Sequence, residues 1–306
     1  MTAYYRIAGL TVRSALRLPA MAAPPTAPVD VTVMVDDGDQ APVIADAVAR
    51  GRNWAMGPWG HGVGRWMVTG ATGGVVHLSG TGAITVWGRN QEQRDEAADW
   101  VVSAAFAAVL LARGRLPLHA AALSFGDRAL MVAGVSGAGK STLAAALAGA
   151  GGVVIADDLS APAPGADGAM ILEPVFPRLR LAPGAAAMSG RSVAPTVLAD
   201  GKQRLPADDS LRPGPRQAAA LLIIDGRSSG AGEMVRIAAA DAVGPVLSHI
   251  VGRQVMDRFG TMPALWSAAS MLCRNLPVYS LHPPDRLDSL AGFAEGLAAD
   301  LVGRCM

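Results

Sequence analysis

Residues Gly134–Asp158 read GVSGAGKSTLAAALAGAGGVVIADD. The first eight, Gly134-Val135-Ser136-Gly137-Ala138-Gly139-Lys140-Ser141, match G-x-x-x-x-G-K-[ST] at every fixed position. The chemistry dictates the residue types. Glycines let the backbone curl until successive N–H groups face one anion. A helix starting after the loop adds unpaired N-terminal donors and the positive end of its dipole. Lys140 supplies a point charge for the outer phosphates, and the Ser141 hydroxyl is a ligand for a hard cation, normally Mg²⁺. Flanking sequence agrees, with strand-like ALMVA before the loop and a helix former, TLAAALAGA (Thr142–Ala150), after it. The stretch therefore predicts a nucleotide-binding α/β unit, with Gly134, Ser136, Gly137, Ala138, Gly139, Lys140, Ser141 and Thr142 around the phosphates.

The same stretch ends in Asp157-Asp158, after a strand-like VVIA that is expected beside the phosphate-loop strand. Adjacent residues at a strand end point in different directions. One carboxylate then approaches the metal while the other faces an acceptor hydroxyl, the pairing that phosphoryl transfer needs. A rival stands downstream: AALLIID ends at Asp225, an apolar strand followed by an acid, the usual second half of an ATPase site. If Asp225 held the metal, the chain would read as an ATPase or a switch.

Outward from this core, the 306-residue chain has room for one large domain or two modest ones. The formal net charge of +1 argues against a broad nucleic-acid footprint. Two cysteines, Cys273 and Cys305, make no disulfide framework or zinc site and fit a reduced, cytoplasmic compartment. The N-terminus shows no signal-peptide pattern, and the greasiest run, Trp100–Ala112, is too short to span a bilayer. Residues 1–90 hold short alternating segments between glycines and predict a β-rich module, a small meander or sandwich. There His61 and His77 read as structural or exposed histidines, and Trp54, Trp59 and Trp66 as packing residues. Residues 91–114 open with acids and end at Arg113-Gly114, which predicts a connecting helix. Residues 115–306 are expected to form one further unit around the nucleotide-binding stretch, with APAPGADGA (161–169) as a loop, strands in RQAAALLIIDG, GEMVRIA and LPVYSLH, and helices in AVGPVLSHIVGRQVM, ALWSAASMLCRN and LAGFAEGLAADLV.

Three features in this order, LHAAAL with His119, GVSGAGKST and ADD, resemble the C-terminal catalytic domain of the HPr kinase/phosphorylase family. The resemblance covers Leu116–Asp158. Further on, EPVFPRLRLAP and LADGKQRLP look like segments of HPr-kinase-like proteins from peptide-tailoring clusters, including lasso peptide kinases. The resemblance implies a nucleotide site of the phosphoenolpyruvate carboxykinase type. It implies Lys140 and Ser141 on phosphates and Mg²⁺, Asp157 as general base on a serine, Asp158 on the metal side (or the two exchanged), and His119 beside the transferred phosphate. The second family signature, an acid-Ile-Arg-Gly type segment, is not present as such. Glu173 stands in for its acid and Arg178 or Arg180 for its cation. The two arginines are two residues apart, on one face of an extended segment, where they would clamp phosphate or an acidic peptide end. Lys202 and Arg204 are a weaker pair of the same kind.

The resulting expectation is a P-loop, HPr-kinase-like catalytic domain behind a small β-rich domain, using ATP and Mg²⁺ to phosphorylate a serine. The partner is a peptide or small protein, with a lasso-type precursor favoured; neither nucleic acid nor a membrane is involved, and a homo-oligomer stays open. HPr or a small metabolite as acceptor, and a nucleotide sensor without transferase activity, are the alternatives.

Overall fold

The structure, a computed structural model, describes residues 2–25, 28–36, 55–58, 65–69, 74–182, 185–190, 196–197, 203–205, 211, 214–252 and 262–303. Trp54, Trp59, His61, Lys202 and Cys305 lie outside them, and the side chains of Trp66 and Arg204 are likewise outside the description. The chain divides into two compact units, Met1–Arg115 with Val251–Leu265, and Leu116–Ile250 with Trp266–Met306.

The first unit holds one eight-stranded sheet. Its strands are β1 (Ala3–Ile7), β2 (Leu10–Ser14), β3 (Met21–Ala22), β4 (Val31–Val35), β5 (Ala55–Pro58), β6 (Arg65–Thr69), β7 (Val75–Ser79) and β8 (Ala83–Trp87), in the order β3-β1-β2-β4-β8-β7-β6-β5. Half of it is a meander, β5 to β8 pairing antiparallel in sequence. β4 joins the two halves by pairing parallel to β2 and to β8, so the unit is a single mixed sheet rather than a sandwich. His77 packs against Trp87 with ring centroids 6.0 Å apart.

The segment after β8 is helical as predicted, and it counts with this first unit. Asn90 caps it, its side chain accepting from the Gln93 N–H, the arrangement that satisfies an otherwise orphaned donor. Helix α1 (Gln91–Trp100) passes through a π-helical turn (Val101–Ala105) into α2 (Phe106–Ala112), and everything from Phe106 to Leu111 is buried. At its end Arg113 donates to the carbonyls of Thr81 and Asp30.

The second unit is built on a sheet whose central strands are buried along nearly their whole length. These are β9 (Ala120–Phe125), β10 (Arg128–Gly134) and β17 (Arg216–Ile224). Such strands read as unbroken apolar runs because both faces are covered. β9 and β10 form a hairpin turning at Gly126, whose φ of 63° suits glycine. β17 pairs parallel with β10, and β19 (Val278–His282) parallel with the second half of β17. β18 (Glu233–Ile237) closes that edge antiparallel to β19. On the other side, β11 (Val153–Ala156) pairs with β9.

Residues 161–169, expected as a loop, instead hold part of a small hairpin of β12 (Ala163–Pro164) and β13 (Met170–Leu172), with β13 against the start of β17. Its proline stands on a two-residue edge strand, where no N–H is missed. A three-stranded sheet, β14 (Leu179–Leu181), β16 (Gln203–Leu205) and β15 (Thr196–Val197), lies outside the main one. The helix after the phosphate loop is α3 (Lys140–Gly149), followed in the chain by α4 (Ala239–Ser248), α5 (Met262–Asn275) and α6 (Leu287–Gly303). The inner face of α3, Leu143 to Leu147, packs on Leu123, Leu130, Val132 and Leu222 of the sheet and on Leu290, Ala294 and Leu297 of α6. Its alanines keep that helix close to the strands. Each fully buried leucine contributes about 1.5–3 kcal/mol of transfer free energy, which fixes the loop at the head of α3 against the sheet edge.

Candidate active site at the phosphate loop

Four strand ends meet at one edge of the second unit's sheet, and register sets their order. Gly134, the last residue of β10, lies opposite Ile224 of β17, so Asp225 follows at the loop's shoulder. Ala133 lies opposite Ala120 at the start of β9, which brings His119 to the other shoulder. β11 runs antiparallel to β9 and delivers Asp157-Asp158 to this edge. The strand carrying the acids was expected to be next to β10. β9 stands between them, and the strand that adjoins β10 is β17. The rival acid Asp225 therefore has the adjacent position, and the carboxylate pair is one strand further out.

The loop has the conformation its glycines permit. Gly137 has a φ of 82° and Gly139 of 94°, both in the left-handed region. Gly139 is crowded too, since a Cβ there would meet the Arg227 guanidinium. Lys140 is 8% exposed, and its Nζ donates to the carbonyls of Gly134 (2.9 Å) and Val135 (3.2 Å). Its charge is thus turned into the curl of the loop, at the head of a ten-residue helix whose first N–H groups have no intrahelical partner. A polyphosphate fits this donor set. Ser141 and Thr142, half-buried, occupy the first turn of α3. Among the described residues no cluster of three or more His, Cys, Asp or Glu could hold a metal by itself. A cation here would depend on Ser141, a nearby carboxylate and the phosphates together.

The two acids face different surroundings. Asp157 is 4% exposed, and its Oδ2 accepts the Arg180 N–H at 2.7 Å. Burial, and next the neighbouring Asp158 charge, hold its pKa well above the ordinary carboxylate value, against hydrogen bonds from the Arg180 and Asp158 N–H groups and the Lys140 charge. Asp158 turns outward on a φ of 62°, a left-handed conformation that Asp tolerates better than most residues. Its side chain is half exposed, with Oδ1 3.4 Å from His119 Nε2. Partial burial pushes the Asp158 pKa up. The His119 hydrogen bond and charge, with Lys140 and Arg180, outweigh that and leave it below the ordinary value.

The segment 176–181 runs past this pair. The Asp157 N–H donates to the Phe176 carbonyl, and Arg178 stacks its guanidinium 4.1 Å from the centre of the Phe176 ring. Arg180 is exposed between buried Leu179 and Leu181, with its charge near Asp158. Arg180 is thus brought to the carboxylates, through its backbone N–H to Asp157 and its charge near Asp158, whereas Arg178 is held on the Phe176 ring. Arg204 is opposite Arg180 in register, on β16. Glu173 follows Leu172, which is opposite Arg216 at the start of β17, whereas Asp225 follows that strand's end.

Sequence reading missed two side chains. Arg227 donates to the Ala138 carbonyl at 2.8 Å and lies across the loop. His249, past the end of α4, accepts the His119 N–H with its carbonyl (2.7 Å). Burial, then the charges of Lys140 and His119, lower the His249 pKa, with Asp225 opposing. Neither residue sits in a motif; each arrives by a chain turn that periodicity does not reveal.

Among the described residues no helix is long and apolar enough to cross a membrane. No protein-family model and no curated protein matches the chain. Among solved structures it is similar to one described as the Hpr(Ser) kinase/phosphatase from Coxiella burnetii, at 12% identity and a TM-score of 0.33, over 61% of this chain and 98% of that one.

Proposed function

We propose that the second unit is a kinase that transfers the γ-phosphoryl group of ATP to a serine hydroxyl of a peptide or small protein. The observation carrying this reading is the pairing of a full phosphate loop with two adjacent acids held in opposite protonation environments at the same sheet edge. Such a split separates a proton acceptor from a permanent anion. Asp157, whose environment raises its proton affinity, takes the hydroxyl proton as the acceptor oxygen bonds to the γ-phosphorus and the bond to ADP breaks. Asp158 stays ionised. With the Ser141 hydroxyl it would hold Mg²⁺, which when bound neutralises charge on the outer phosphates. Lys140 leaves the loop carbonyls for the phosphates. His119, next to Asp158, and the Arg178–Arg180 segment border the path by which an acceptor reaches the acids.

The acceptor to try first is a lasso-type precursor peptide, because the motif order and the EPVFPRLRLAP segment look like the peptide-tailoring relatives. HPr belongs in a parallel tube. Intact mass spectrometry after incubation with Mg-ATP reads the result. A phosphate added to the peptide by the native chain and not by Lys140→Ala supports the reading. Addition to HPr alone moves the acceptor to that protein. No addition to any serine-bearing acceptor, with ATP still bound, overturns the kinase reading in favour of a nucleotide sensor.

A further inference from the structure

β14 is an edge strand of the three-stranded sheet, and its middle residue is hydrogen-bonded to the buried acid Asp157. We infer that Arg180 determines specificity by receiving a carboxylate side chain of the acceptor, so that the acceptor is a peptide with Asp or Glu close to its serine. Each extended residue covers about 3.3–3.6 Å, which places that acid within about three residues of the serine. The inference rests on the kinase reading and names the acceptor class that its site would take.

Position, direction and charge carry it. The Arg180 N–H donates to Asp157 Oδ2 at 2.7 Å, so the backbone of the arginine adjoins the carboxylate proposed to take the serine proton. Leu179 and Leu181 on either side are buried, and Arg180 is exposed between them. A slip of one residue would bury the arginine and expose both leucines, so its outward direction is fixed. The Arg180 N–H is turned to Asp157 and away from β16. Arg180 and Arg204, opposite each other in register, are therefore a non-hydrogen-bonded pair. Such positions approach to about 4.5 Å between Cα atoms, and like charges directly opposite one another are destabilising. A carboxylate brought to this face relieves that repulsion, and the planar fork of an arginine binds one through two parallel hydrogen bonds. Arg178 does not serve here, since its guanidinium is held 4.1 Å from the centre of the Phe176 ring.

The test varies one residue of the acceptor. Serine peptides capped at both ends carry Glu, Gln or Lys at each of the three positions on either side of the serine. Transfer from Mg-ATP is compared by kcat/KM, and binding by fluorescence anisotropy of the same peptides with alanine in place of the serine. The native chain should prefer Glu to Gln by about tenfold or more at one or two positions in both readouts, the size of one hydrogen bond to a charged group. Arg180→Gln, at an exposed position, keeps the backbone N–H to Asp157 and should reduce that preference to within about twofold. Arg180→Lys, which keeps the charge without the fork, should retain part of it. A native chain indifferent to Glu, Gln and Lys would overturn the inference, and so would a preference that survives Arg180→Gln. So would an Arg180→Gln variant that slows every peptide by the same factor, since the arginine would then serve the two acids alone. Failure of the kinase reading looks different: Glu peptides bind in preference, the preference depends on Arg180, and none of the serine peptides gains a phosphate.

Discussion

Replacing Asp157 by Asn tests the division of labour between the two acids. The substitution keeps the shape, and an Asn oxygen can still accept the Arg180 N–H now held at 2.7 Å. Asp157→Ala would leave that donor unsatisfied, at about 1–3 kcal/mol; Asn limits the loss to the difference between a charged and a neutral acceptor, about 1 kcal/mol. A positioned general base is worth about 10²–10⁴ in rate, so phosphoryl transfer by Asp157→Asn should fall by that factor while Mg-ATP affinity changes little. Stability carries a second signature. The folded pKa of Asp157 is raised, by burial first and Asp158 second, so its contribution is present below the ordinary carboxylate pKa and is lost as pH rises through the raised value. Asn does not ionise and escapes that loss. Thermal melts should therefore show the variant gaining on the native chain as pH rises from the acid side to neutrality. Transfer at more than a tenth of the native rate, or a melting difference independent of pH, would refute the assignment.

Lys140→Ala removes two charge-assisted hydrogen bonds and the charge meant for the phosphates. At about 1.5–3 kcal/mol for a hydrogen bond to a charged group, nucleotide affinity measured by calorimetry should drop tenfold or more. Gly139→Ala would force a Cβ onto a φ of 94° and against Arg227; about 1–2 kcal/mol of backbone strain alone should lower the melting temperature and weaken ATP. Asp158→Ala should cost about 1 kcal/mol more stability than Asp158→Asn, because Asn tolerates a φ of 62°, while both lose transfer activity. Leu130→Ala, at a fully buried position of β10, should cost about 2–5 kcal/mol in denaturant titration and reduce activity only through the folded fraction.

The strand, glycine-rich loop and helix around Gly134–Ser141 were legible because the spacing of the glycines is a backbone requirement, independent of what surrounds it. The strands beside it were legible from their apolar runs, and α3 from its alanine-rich composition. Strand order was not. VVIA and AALLIID look alike as sequence, and only the hairpin of β9 with β10 decides that β11 stands one strand away while β17 is adjacent. The mixed pairing of β4 was hidden for the same reason, since parallel partners are set by long connections. Within the site, two consecutive acids have no sequence feature that tells them apart. Burial by the 176–181 segment separates Asp157 from Asp158, and that segment arrives from twenty residues downstream. Arg227 and His249 reach the loop through turns after β17 and α4, where one arginine and one histidine carry no pattern.

The most direct test of the central claim is acceptor-dependent release of ADP, measured for the native chain and for Lys140→Ala with Mg-ATP and a serine-bearing peptide. The account predicts ADP formation that rises with peptide concentration, matches phosphoserine mole for mole, and vanishes in Lys140→Ala. ADP released at the same rate with and without any acceptor, or none released while ATP stays bound, would contradict it.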